Sequence, residues 1–172
     1  RHRPALGAAP GARVLDVGAG TGLNLRLLRA RIGPGGLLVA CDASRGMLAV
    51  ARAPARRARA HLILADGARL PFRTGAADAV CATYLVTTLP DPAGAAREVL
   101  RCARPGGRVV LTDDRLPPGW FLGPLALWRG LRQRGWRDSL APMRALVRAA
   151  CRDVAVRLWH GGLIWMLAGT RR

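Results

Sequence analysis

Short apolar runs recur along the chain with helical stretches between them. Arg13–Val17 (RVLDV), Leu37–Cys41 (LLVAC), His61–Ala65 (HLILA), Ala77–Tyr84 (ADAVCATY) and Arg108–Thr112 (RVVLT) are each nearly continuous in apolar residues. That pattern marks strands covered on both faces. The segments between them predict helices. One runs from about Leu23 to Arg31, and a second follows Ser44, a natural N-cap, with Pro54 expected to interrupt it. A third opens at Asp91-Pro92 and closes before Pro105-Gly106-Gly107. Alternating strands and helices predict an α/β fold with a mostly parallel sheet and helices on both faces.

Beyond residue 115 the pattern changes. Residues 116–137 are rich in Pro, Trp and Arg, and residues 139–151 read as a helix. Two apolar runs follow, Asp153–Trp159 and Leu163–Ala168, separated by Gly161-Gly162. Two glycines between apolar runs signal a hairpin, so a seven-stranded sheet should end in an antiparallel pair. The 172 residues are expected to form one domain, with 116–151 as a substrate-side lid or interfacial insertion. Trp120, Trp128 and Trp136 interleave with Arg129, Arg132, Arg134 and Arg137, a composition suited to resting on an anionic bilayer or closing over an apolar substrate. The alternative is a helix packed on the sheet with its arginines in water.

Charge alters this picture less than its size implies. The net charge is +18, and all 28 basic residues are arginine. They are scattered rather than blocked, which fits a solvated, compositionally skewed surface better than a phosphate-binding one. Only Arg52–Arg59 approaches a patch, so nucleic acid is the weaker expectation and peripheral contact with an anionic membrane a possible one. Cys41, Cys81, Cys102 and Cys151 form no C-x-x-C pair and have no histidine at ligand spacing. They read as buried reduced thiols, with no metal site and a cytoplasmic location expected. No apolar h-region is visible at Arg1-His2-Arg3-Pro4, and no uncharged run reaches bilayer length.

The most informative segment is Val14-Leu-Asp-Val-Gly-Ala-Gly-Thr-Gly-Leu23. Glycines at 18, 20 and 22 sit between a strand and a helix, where a ligand can approach bare backbone. The dinucleotide fingerprint G-x-G-x-x-G fails, because its third glycine would fall on Leu23. Strands two and three end in Asp42 and Asp66, which with Asp16 make an acid-lined rim. A carboxylate such as Asp42 can accept two ribose hydroxyls, and an acidic rim suits a cation better than a pyrophosphate. Each Asp alone is equally well explained as a helix cap.

These motifs resemble the class I S-adenosylmethionine (SAM) dependent methyltransferases. Leu15–Gly22 matches the family's [LV]-[DE]-x-G-x-G-x-G. Asp42, Asp66-Gly67-Ala68 and the Ala103-Arg-Pro-Gly-Gly107 segment fall in the family's order, with Ala103 where leucine is usual. The resemblance implies a Rossmann-like fold, SAM as cofactor and methyl transfer to a small-molecule or lipid-like acceptor. It is nearest the quinone-biosynthesis and phospholipid N-methyltransferase branch. It further implies a cofactor site of Asp16, Gly18, Ala19, Gly20, Gly22, Asn24, Asp42, Ala43, Met47, Asp66, Gly67, Ala68, Thr83 and Tyr84. His160, Tyr84 and Asp113 are the candidates for a catalytic group, although transfer from a sulfonium needs chiefly positioning and a dedicated base is not required. A nucleic-acid methyltransferase and a non-catalytic SAM-binding domain stay open as alternatives, as does the oligomeric state.

Overall fold

A computed structural model describes residues 6–114 and 140–172. In chain order the elements are β1 (Arg13–Val17), α1 (Leu25–Ile32), β2 (Leu37–Asp42), α2 (Arg45–Ala58), β3 (Ala60–Leu64), β4 (Ala77–Thr83), α3 (Pro92–Cys102), β5 (Ala103–Asp114), α4 (Leu140–Ala150), β6 (Cys151–Trp159) and β7 (Ile164–Arg171). Short 3-10 turns occupy Val86–Thr88 and His160–Gly162. One seven-stranded sheet has the order β3-β2-β1-β4-β5-β7-β6. The neighbours among β1 to β5 are parallel, and β7 runs antiparallel to both β5 and β6. This is the Rossmann-like sheet, with its antiparallel end, that the periodicity predicts.

The chain builds outward from β1 to β3, then returns to place β4 on the other side of β1. The connections therefore diverge above β1 and β4, and that divergence opens a crevice at their carboxyl ends. Alternation along the strands fills two cores. Val14, Leu38, Ala40, Ala79 and Cys81 pack against Leu25, Leu28 and Ile32 of α1. Leu15, Val17, Val80, Ala82 and Leu111 pack against Val99 and Leu100 of α3 and Met143 and Val147 of α4.

The expected caps form. Ser44 Oγ accepts from Met47 N at 3.2 Å, and Asp91 Oδ1 accepts from Gly94 N at 2.9 Å. Pro54 does not interrupt its helix, since α2 runs unbroken through it. Ala51, Ala55 and Ala58 bury that face of α2, and Pro54 itself lies against the backbone of Gly22. This packing offsets the cost of about 3 kcal/mol for proline inside a helix. The Pro105-Gly106-Gly107 breaker falls within β5, which starts at Ala103. The pairing with β4 shifts register there, between Ala77 and Ala79, so the glycines form an irregularity rather than an end. A Cβ on Gly107 would stand 2.8 Å from Arg104 O and 3.0 Å from Asp78 O, which leaves room only for hydrogen. The Trp and Arg segment of 116–137 lies outside the described residues. Of the region beyond it, α4 packs on α3 and β7.

Arg29 fastens the opposite end of the sheet. Its guanidinium donates to Gly33 O at 2.6 Å, Ala58 O at 2.7 Å, Gly36 O at 2.8 Å and Arg59 O at 2.9 Å. One side chain thus satisfies carbonyls at the ends of α1 and α2 and in the turn before β2. Arg29→Met should lower stability by about 2 kcal/mol and the melting temperature by roughly 4–8 °C, measured by thermal denaturation.

Candidate functional site

The chain leaves β1 through Gly18-Ala19-Gly20-Thr21-Gly22, with φ of 71°, 54° and 83° at the three glycines. These left-handed angles turn the backbone sharply enough to bring α1 back along the sheet. A Cβ on Gly18 would meet Leu85 Cδ1 at 2.9 Å, whereas nothing lies within 4 Å of one on Gly20. The loop is therefore packed on its inner side and open at its crest. Gly18 N and Ala19 N donate to Cys41 O at 2.8 and 3.0 Å, tying the loop to β2.

Asp42, at the end of β2, holds the crest. Its Oδ2 accepts from Gly20 N and its Oδ1 from Ser44 N, both at 2.8 Å. Each oxygen keeps a second lone pair for another donor. Ala43 and Met47 follow, both exposed. Asp66 Oδ1 accepts from Ala68 N at 2.9 Å, closing the turn after β3. A Cβ on Gly67 would meet Leu85 Cδ2 at 3.2 Å, so the Leu85 methyls stand between Gly18 and Gly67. Leu85 is a wall of this crevice that the sequence did not single out. Only the strand order makes it a neighbour of both loops.

Asp16 lies beneath the loop and is wholly buried. Burial pushes its carboxyl up to about 6; hydrogen bonding by Cys81 and Asn24 opposes this, and the charge of Asp42 adds to it. Cys81 Sγ lies 3.3 Å from Asp16 Oδ1 and 3.6 Å from Leu15 O, a thiol proton shared between two acceptors. Oδ2 has no hydrogen-bond partner. Cys81 is the buried thiol the sequence predicts, and its pairing follows from register, which sets Asp16 opposite Cys81 across β1 and β4. Burial also pushes the Cys41 thiol up to about 12 and the Cys81 thiol well above its ordinary value.

Asn24 Nδ2 donates to Thr83 Oγ1 at 3.3 Å, joining the start of α1 to the end of β4. Both residues line a cavity of about 300 Å³ with Cys81 and Thr112 at its polar end and Leu6, Leu27, Leu28 and Val110 along its apolar walls. Tyr84 follows β4 in a left-handed conformation, φ 55°, and its N–H donates to Thr112 O at 2.8 Å. Partial burial raises its hydroxyl's pKa, and so do the charges of Asp114 and Asp113. Asp113 is wholly buried, and its Oδ1 accepts from Asp114 N at 2.9 Å. Tyr84 and Asp113 thus share one edge of the crevice. His160 stands in the exposed turn between β6 and β7. The turn leads into β7, whose first residue, Ile164, pairs with Asp114 of β5.

Among the described residues no helix is long and apolar enough to cross a membrane. The sequence profile of a family described as a methyltransferase domain matches residues 15–111, the stretch from β1 into β5. A demethylmenaquinone methyltransferase of Beutenbergia cavernae is 35% identical over 93% of this chain and 74% of its own length. A nocamycin O-methyltransferase of Saccharothrix syringae is 37% identical over 67% of this chain and 44% of its own length. A solved structure of a SAM-dependent methyltransferase from Aquifex aeolicus shares the fold, with a TM-score of 0.71, 17% identity and coverage of 97% of this chain and 86% of the other. A glycine loop under an acidic rim, on this sheet order and with these relatives, has one family reading: the chain belongs to the methyltransferase-domain family and is a class I SAM-dependent methyltransferase.

Proposed function

We propose that this methyltransferase acts on a small, largely apolar acceptor of the quinol or phenol kind. The cavity beside α1 is the observation that carries this reading. From Asn24 to Arg31 its lining follows α1 over about 10 Å. An apolar body would lie along Leu27 and Leu28, with an oxygen-bearing ring at the Thr83 and Thr112 end. The relatives' names, a demethylmenaquinone and a nocamycin methyltransferase, agree with such acceptors.

The donor fits the residues nearby. SAM carries no phosphate and is cationic at sulfur, and this end of the sheet offers the carboxylates of Asp16, Asp42 and Asp66. The crest at Gly20 has open space where a side chain would obstruct. In this reading Asp42 accepts the ribose hydroxyls, and Asp66 with Gly67 and Ala68 meets the adenine. Met47 and Leu85 cover its faces. Gly18, Ala19, Gly20, Gly22, Asn24, Thr83 and Tyr84 border the amino-acid end. When bound, SAM supplies a methyl group already activated on a sulfonium. The protein then has to align the acceptor oxygen and exclude water. Tyr84 and Asp113 border the acceptor's ring, and His160 opens the turn before the β7 residue that pairs with Asp114.

Labelled SAM offered with a demethylated short-chain naphthoquinol, a phenol, an ethanolamine phospholipid and RNA tests the reading. Label should enter the naphthoquinol or the phenol. Label confined to RNA or phospholipid would overturn it.

A further inference from the structure

The donor and its demethylated product share an adenosine and an amino-acid end. They differ in one methyl group and one positive charge, so a site that must take up one and release the other can discriminate by charge. We propose that Asp16 is a specificity-determining residue that favours the charged donor over the neutral product by its field from beneath the glycine loop, and that Cys81 positions its carboxylate. The proposal rests on the placement of SAM above that loop.

Asp16 is two residues before Gly18, so its backbone lies within about 7 Å of the loop's first turn. Its side chain is wholly buried, and Oδ2 is sealed from solvent without a partner. A sealed oxygen offers a ligand no direct contact, so its influence is Coulombic. Burial between β2 and β4 also removes most of the water and salt that would screen that charge. Cys81 fixes Oδ1 from β4 at 3.3 Å, which sets the orientation of the whole carboxylate.

Among the described residues beside Asp16 on β2, β4 and α1, the neighbouring groups are neutral apart from Asp42. Cys81 on β4 and Cys41 on β2 are thiols whose pKa values are raised, so both are neutral. Asn24 at the start of α1 is uncharged. Asp42, at the end of β2, is the other carboxylate, and it faces the ribose that both ligands carry. Asp16 takes up a proton as pH falls through about 6, so its preference should vanish on the acid side.

Calorimetric titration of the whole chain with SAM and, separately, with S-adenosylhomocysteine between pH 5 and 7.5 tests this. For the unaltered protein, the SAM-to-product affinity ratio should rise on the order of tenfold from pH 5 to pH 7. Asp16→Asn should show a low SAM-to-product ratio that does not change with pH. Cys81→Ala removes a hydrogen bond that stabilises the ionised carboxylate. It should move the rise to higher pH, and Cys81→Ser should restore it. An Asp16→Asn protein that keeps the parent's ratio and pH dependence, while binding the product normally, would overturn the proposal alone. Absence of binding by both ligands to the unaltered protein would overturn it together with the donor-site assignment.

Discussion

Asp42→Ala should weaken SAM binding by about a hundredfold, because two charge-assisted hydrogen bonds to a ribose are together worth roughly 3 kcal/mol. The substitution also releases Gly20 N and Ser44 N, which the carboxylate holds at 2.8 Å. The loop crest and the start of α2 lose their shared anchor as the ligand loses its partner. Asp42→Asn keeps one acceptor and should fall between, near a tenfold loss. Calorimetry gives the affinities, and circular dichroism should show both variants folded, since Asp42 is at the rim and not in either core. Equal affinity of Asp42→Ala and parent would remove the ribose assignment, and with it the orientation of the donor.

The strands and helices were legible because each is consistent at the level of the residue. β1, β2 and β4 are apolar on both faces, and Ser44 and Asp91 cap the helices they precede. The glycine loop was legible for a similar reason, since its left-handed angles admit few residues other than glycine. What the sequence hid depends on contacts between distant segments. Pro54 reads as a helix breaker until Gly22, more than thirty positions earlier, is seen to accept it. Leu85 reads as an ordinary apolar residue until the strand order brings it between Gly18 and Gly67. Cys81 and Asp16 become partners only once β4 is known to lie beside β1. Arg29, one arginine among 28, has nothing in its local sequence to mark it as the residue that binds four carbonyls. Local rules therefore located the crevice, and long-range pairing determined which side chains line it.

Asp16→Asn should make the empty protein more stable at neutral pH, even though it removes a residue of the proposed donor site. The carboxyl is wholly buried and is raised from 3.8 to about 6. At 1.36 kcal/mol for each tenfold change, keeping it ionised in the fold at pH 7 costs roughly 2–3 kcal/mol. The sign follows from proton uptake. Between about pH 4 and pH 6 the folded chain binds a proton at Asp16 that the unfolded chain has lost, so this group lowers stability as pH rises and has its full effect above pH 6. A neutral amide avoids the cost, and its oxygen can still accept from Cys81. Thermal denaturation should therefore place the variant roughly 4–8 °C above the parent at pH 7. Well below pH 4 the two should converge, because Asp16 is then protonated in both the folded and the unfolded chain. Asp78 and Glu98, whose carboxyls are held below their ordinary range chiefly by Arg13 and Arg101, titrate alike in both proteins and cancel in the comparison. A gain independent of pH, or a loss at pH 7, would show that the carboxylate is not held under strain beneath the loop. The expected gain instead has a functional meaning. With SAM placed as proposed above, the fold retains a charge that destabilises it when empty, and the cationic donor would relieve that cost on binding.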